Sequence, residues 1–187
     1  MNTGLISSRY ATTLLEFSIE NGEQDEVYNK LKLLVEVFTY TPLLRRILSD
    51  RTISISDKKK FILTACDGRI PVSLDKMFDL ILKNDRQEVL HFIALQYIEM
   101  YRKRFKIQDA KLTTAYAIEQ KEVDKFLMRI EKIVDESIEL ETETNPDIIG
   151  GFILQLGDYR WDASLSSKLA HIKNTIKGSE EIIKLDR

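Results

Sequence analysis

The period of the apolar residues changes once along the chain, near Lys106, and this change limits the fold more than any single motif. Upstream, Ile6, Tyr10, Leu14 and Phe17 recur every three or four positions, the spacing that lines one face of a helix. Asn21-Gly22 follows as a stop, with glycine free to take the left-handed cap conformation. Val27, Leu31, Leu34, Val35 and Phe38 form a second stripe, which ends at Thr41-Pro42 because the residue before proline avoids helical geometry. Pro42 itself opens a short helix through Leu43, Leu44, Ile47 and Leu48. Ser56 is the expected cap of a segment bearing Phe61, Ile62 and Ala65, which breaks at Gly68 and Pro71. Another helix carries Leu74, Met77, Phe78, Ile81 and Leu82. The spacing of Asp85 and Glu88 is that of a capping box opening a long helix with Val89, Ile93, Tyr97 and Met100. Six helices with short connections predict a bundle of antiparallel neighbours over residues 1–105.

Downstream the residues alternate. Leu112, Thr114, Tyr116 and Ile118 are expected on one face of a strand. A helix with Val123, Phe126, Leu127, Ile130 and Val134 follows, then a strand with Ile138 and Leu140 on one side and Glu139, Glu141 and Glu143 on the other. A third strand runs through Gly150-Gly151, turns at Gly157-Asp158, and leads to a final helix with Leu165, Leu169, Ile172 and Ile176 in its stripe. The order β-α-β-β-β-α predicts a small α+β domain over 106–187, so the whole chain is mainly α, a six-helix bundle followed by an α+β domain.

Charge and cysteine usage narrow the function classes. A formal net charge of −2 with 31% charged residues describes a solvated surface, not the strong positive field of a duplex binder. The single Cys66 rules out an internal disulfide and any cysteine-based zinc site. No apolar run approaches the ~20 residues of a membrane-spanning helix, so membrane association is expected only through partners. The N-terminus lacks a signal-peptide or transit pattern, which favours a bacterial origin.

Little chemistry is legible. His91 and His171 are isolated within helical patterns, with no ligand at metal spacing, and read as ordinary helix residues. The alternating glutamates of 139–143 read as a wet strand face, because divalent sites want convergent carboxylates. Gly150-Gly151 lacks the further glycines, the lysine and the immediate helix of a phosphate loop. The cluster Arg102-Lys103-Arg104 with Lys106, between Tyr101 and Phe105, is the one nucleic-acid-like signal, and cations at a helix C-terminus are favoured by the dipole in any case. No catalytic, cofactor or metal residue is assigned.

The segment Asn145-Pro146-Asp147-Ile148-Ile149-Gly150-Gly151-Phe152, with its continuation through Trp161 to Asp162-Ala163-Ser164, carries more. Adjacent glycines in a strand mark a bulge or the close approach of another backbone, and Asp162 and Ser164 are N-cap types ahead of a helix. The segment resembles the C-terminal signature of the delta subunit of F-type ATP synthases, the oligomycin-sensitivity-conferring family, and the match rests on Ile149, Gly150, Gly151, Phe152, Asp162 and Ser164. Arg9-Tyr10-Ala11 through Phe17 is similar to that family's opening helix, although Thr13 stands where alanine is usual and Ala163 where glycine is usual.

The resemblance implies a non-catalytic stator subunit, one copy per complex, joining the catalytic head to the peripheral stalk. It implies a groove between the first and fifth helices for the N-terminal helix of the alpha subunit, with Tyr10, Ala11, Leu14, Met77, Phe78 and Ile81 as its residues. The C-terminal domain would meet b-type stalk subunits, and the protein would sit peripherally on the cytoplasmic side of a bacterial inner membrane. Nucleic acid is not an expected partner. The rival readings are an RNA-binding accessory protein acting through Arg102 to Lys106 and, more remotely, a small-molecule enzyme using the glycine pair.

Overall fold

A computed structural model describes residues 3–134 and 136–185. The chain divides into two compact units, Met1–Arg104 and Phe105–Arg187. The first contains α1 (Thr3–Glu20), α2 (Gln24–Tyr40), α3 (Pro42–Ser49), α4 (Ile55–Ala65) and α5 (Val72–Lys83). A 3₁₀ turn at Gln87–Val89 then leads into α6 (Leu90–Phe105), which runs to the boundary. Leu14, Leu31, Leu34, Ile62, Leu74, Phe78, Ile81, Ile93 and Tyr97 are fully buried and form the interior, as the helical stripes require. Tyr97 brings a polar atom into this interior, and its hydroxyl is satisfied by Ser18 Oγ at 2.9 Å and by the carbonyl of Gln24 at 3.2 Å.

Three of these helices close in the same way. After α1, Gly22 takes φ +69°, Glu23 N donates to Ser18 O and Gly22 N donates to Ile19 O. Asp67 (φ +64°) does the same after α4, and Asp85 (φ +52°) after α5, where Arg86 N donates to Ile81 O and Asp85 N to Leu82 O. These paired bonds satisfy carbonyls that a bare helix end would leave open.

Asp85 therefore finishes α5 and does not cap α6. The expected Asp85–Glu88 capping box does not form, because a residue held in the left-handed region cannot also adopt the extended geometry of an N-cap. The Asp85 carboxylate instead accepts from Gln87 Nε2 at 2.9 Å. The cap of α4 also moves. Ser54, at extended φ and ψ, accepts from Asp57 N at 3.1 Å and donates to Asp57 Oδ2, so the N-cap lies two residues before the expected Ser56.

The second unit contains β1 (Ile107–Thr114), α7 (Gln120–Val134), β2 (Ser137–Thr144), a 3₁₀ turn at Pro146–Ile148, β3 (Phe152–Leu156), β4 (Tyr159–Asp162) and α8 (Leu165–Leu185). The sheet order is β2-β1-β3-β4, with β1 parallel to β2 and antiparallel to β3. Ala110, Ile130, Ile138, Leu154 and Leu156 form the core of this unit, backed by Phe126, Leu127, Val134, Leu140 and Phe152.

Two strand expectations are corrected here. β1 ends at Thr114, whose hydroxyl donates to Tyr116 O in a turn, so Tyr116 and Ile118 lie past the strand and Tyr116 is 69% exposed. The buried face is Ala110, Leu112 and Thr114. Gly150 and Gly151 precede β3 and are not within it. Ile149 (φ +66°) and Gly151 (φ +75°) both leave the extended region, which excludes them from a ladder. Ile176, the last position of the expected α8 stripe, lies outside the residues whose side chains are described.

Candidate functional site

The first candidate surface is the seam between α1 and α5, which lie along one another. Side chains cross it at three levels. Glu23 accepts from Ser73 N at 2.8 Å, from Val72 N at 3.3 Å and from Ser73 Oγ, so a carboxylate at the end of α1 caps the start of α5. The Ser73 hydroxyl and backbone N–H, in that order, hold the Glu23 carboxyl below the usual glutamate range. In the middle, the Lys76 ammonium stands 5.2 Å from the centroid of the Phe17 ring. At the far end the Tyr10 hydroxyl accepts from Arg86 Nη1 at 3.0 Å and Asn84 Nδ2 at 3.1 Å.

Of the six residues expected to meet a partner helix, Ala11, Leu14, Met77, Phe78 and Ile81 are buried in the bundle and only Tyr10 is half-buried. Two of these five lie on α1 and three on α5. The outer side of the seam is formed by residues a step round each helix. Leu80 is one turn beyond Lys76 and one turn before Asn84, hence on the side of α5 that faces α1, and it is 45% exposed. With Tyr10 and the half-buried Phe17 it makes an apolar line flanked by Lys76 and Lys83. Sequence reasoning missed Leu80 because it follows the helical period; the usable signal was an apolar residue just outside the densest stripe.

The second candidate surface belongs to α8 and the turn before β3. Asn145 Oδ1 accepts from Asp147 N at 3.0 Å and starts the 3₁₀ turn. Leu165 N donates to Gly150 O and Ala163 N to Phe152 O, both at 2.9 Å, which clamps the start of α8 against the turn. Ser164 Oγ accepts from Ser167 N at 3.2 Å as the N-cap. Asp162 accepts from Ser164 N and Ser167 Oγ, and hydrogen bonding from Ser164, then Ser167, holds its carboxyl below the usual range. The N–H groups of Gly150, Ser164 and Leu165 are thus spent on protein acceptors, and the turn has none of these to offer a phosphate. Beyond the clamp Leu165, Leu169 and Ile172 are 46%, 54% and 54% exposed at helical spacing, an apolar stripe that starts at Leu165, whose side chain lies over Gly150.

Other candidates contribute no chemistry. Among the described residues no group of three His, Cys, Asp or Glu side chains could hold a metal ion. Cys66 is fully buried, and desolvation pushes its thiol up to about 12, which leaves it an unreactive thiol at neutral pH. The basic cluster is partly engaged: Arg102 Nε donates to Tyr28 Oη at 2.8 Å and Lys103 pairs with Glu99 at 2.7 Å. Lys111 likewise pairs with Glu143 at 3.1 Å across β1 and β2. No described helix is long and apolar enough to cross a membrane.

The two units are separately cored, and each carries an apolar line on a helix surface. The model of the ATP synthase delta (OSCP) subunit family matches residues 6–176, and the chain belongs to that family. It is 35% identical to the ATP synthase subunit delta of Bacteroides thetaiotaomicron over 92% of this chain and 94% of that one. It is 33% identical to that of Parabacteroides distasonis, covering 92% and 96%. A chain in the cryo-EM structure of the Toxoplasma gondii mitochondrial ATP synthase hexamer shares the fold, with a TM-score of 0.59 at 16% identity, covering 91% and 96%.

Proposed function

We propose that this chain is the non-catalytic stator subunit of an F-type proton-translocating ATP synthase, joining the catalytic head to the peripheral stalk. The observation that carries the reading is the family match over 6–176, which spans both units. A stator needs two separate attachment points, and the two apolar lines supply one candidate on each unit. The helical unit receives the N-terminal helix of the alpha subunit across the α1–α5 seam, as an amphipathic helix laid on an apolar line. Tyr10, Phe17 and Leu80 touch it directly, while Ala11, Leu14, Met77, Phe78 and Ile81 support them from beneath. The α+β unit meets the b-type stalk subunits through α8. One copy serves each complex, held peripherally on the cytoplasmic side of a bacterial inner membrane.

The test is co-purification. A tagged chain expressed in its own host, recovered from detergent-solubilised membranes, should bring down the alpha and b subunits in a fixed ratio. Recovery as a free protein, or with RNA released by salt, would overturn the reading.

A further inference from the structure

We propose that the free edge of β2 is a docking site for an extended segment of a partner protein, in which basic residues alternate with apolar ones, added to the sheet as a fifth strand. β2 and β4 are the two edges of the sheet, and β2, with eight residues against four, is the longer. It pairs one-to-one with β1 from Ser137 to Thr144, with neither a bulge nor a proline to blunt the edge. The edge belongs to neither the α1–α5 seam nor α8, so it stands apart from both contacts assigned above.

Hydrogen bonds fix which backbone groups face outward. Ser137 N donates to Lys106 O at 3.1 Å and Asn145 N to Thr114 O at 2.8 Å, so the odd-numbered residues of β2 bond inward to β1. The even-numbered residues point their N–H and C=O groups away from the sheet. Ile138 N agrees with this direction, since it donates to Glu131 Oε1 of α7 at 3.2 Å. That carboxylate closes the edge at Ile138 alone. Among the described residues nothing accepts from the N–H groups of Leu140, Thr142 and Thr144, which are left as a template for another strand.

The side chains select the occupant. Glu139, Glu141 and Glu143 share one face of β2; Glu143 pairs with Lys111 at 3.1 Å, and Glu141 is exposed. A strand laid on this edge sets every second side chain beside these glutamates, where lysine or arginine gains an opposite-charge cross-strand contact. A second copy of β2 would set glutamate against glutamate, which argues against self-pairing. The opposite face carries Ile138, Leu140 and Thr142. Met128 lies one turn before Glu131, hence on the flank of α7 that reaches the β2 edge, and it is 61% exposed. Apolar residues at the alternate positions of the incoming strand extend the core beneath it.

The experiment titrates the full ¹⁵N-labelled chain with a capped heptapeptide in which lysine alternates with valine, read by amide chemical shifts and hydrogen exchange. With free peptide at about ten times its Kd, exchange should slow about tenfold at Leu140, Thr142 and Thr144 and stay unchanged at Glu141 and Glu143, which already bond to β1. A peptide with glutamate in place of lysine should not bind, and Glu141→Gln should weaken the lysine peptide about two- to fivefold. Thr142→Pro removes an outward N–H without touching the ladder to β1, so it should keep the wild-type melting curve and abolish binding. N-methylation of the valines alone, or of the lysines alone, blocks one edge of the peptide at a time; one of the two should abolish binding and the other should not. Should Thr142→Pro melt early, this N-methyl pair decides alone. Equal binding of the glutamate peptide, protection that does not alternate along β2, or wild-type affinity in a folded Thr142→Pro variant would each overturn the proposal. So would the absence of a saturable shift up to the peptide's solubility limit, or concentration-dependent protection without peptide, which would assign the edge to a second copy of the chain.

Discussion

Gly151 faces the carbonyl oxygen of Ala163 so closely that a Cβ on the glycine would lie 2.3 Å from it. Neither partner can yield, because Ala163 N is bonded to Phe152 O and the next residues start α8. The left-handed φ of +75° adds a second objection to any side chain. At Gly150 the obstacle is different: a Cβ would meet the end of the Leu165 side chain at 2.8 Å, which can turn aside. Gly151→Ala should therefore destabilise the α+β unit by ~2–3 kcal/mol and Gly150→Ala by ~1 kcal/mol or less. Thermal unfolding of the two variants gives the ranking, and an equal or reversed order would show that the backbone contact is not the cause.

The Glu23 carboxylate stabilises the α1–α5 pair through three bonds to Val72 and Ser73. Its folded pKa is depressed, so this contribution is full above the unfolded glutamate range and is lost as pH falls through the folded value. Glu23→Gln should cost the helical unit ~1 kcal/mol at pH 7, within the range for helix caps, and the difference from wild type should shrink on acidification. Denaturant unfolding at pH 7 and at pH 3 checks both the size and the sign. A difference that grows toward acid would contradict the assignment.

The helices were legible because each carries both an apolar stripe and a stop. Gly22 and Pro42 act through their own backbones, so a local reading suffices for them. Asp85 was misplaced because the same residue type serves as an N-cap and as a left-handed helix end, and the choice depends on Ile81 and Leu82 accepting from Arg86 and Asp85. Of the two readings of the glycine pair, a bulge or a close backbone, the second holds at Gly151, whose neighbour Ala163 is twelve residues away and brought near only by the β3–β4 hairpin, whereas Gly150 meets the Leu165 side chain. The same distance effect hid Leu80. A helix period tells which residues share a face, not which of two flanks a neighbouring helix leaves open.

Ser54 and Ser56 offer a direct comparison of a local reading with its outcome. Ser54 satisfies Asp57 N, whereas Ser56 is an exposed residue in the first turn of α4. Ser54→Ala should lower the stability of the helical unit by ~1 kcal/mol, and Ser56→Ala should change it by no more than ~0.5 kcal/mol. Paired melting curves decide the matter, and a larger loss at Ser56 would return the cap to the later position.

Leu14 and Ile81 are fully buried, while Leu80 on the same seam is 45% exposed. This separates two consequences of adding a charge. Leu14→Glu or Ile81→Glu places a carboxylate among apolar side chains without a partner and should cost more than ~4 kcal/mol, enough to unfold the helical unit. Leu80→Glu leaves the new charge in water and should shift stability by under ~0.5 kcal/mol. The same variant should weaken binding of a peptide from the N-terminus of the cognate alpha subunit at least about tenfold, because it interrupts the apolar line between Phe17 and Tyr10. Isothermal titration of the full-length variant with that peptide, alongside its melting curve, reads both effects. Unchanged affinity in a folded Leu80→Glu protein would move the alpha-subunit contact off the α1–α5 seam, whereas weakened affinity with an unchanged melting temperature would place Leu80 in it.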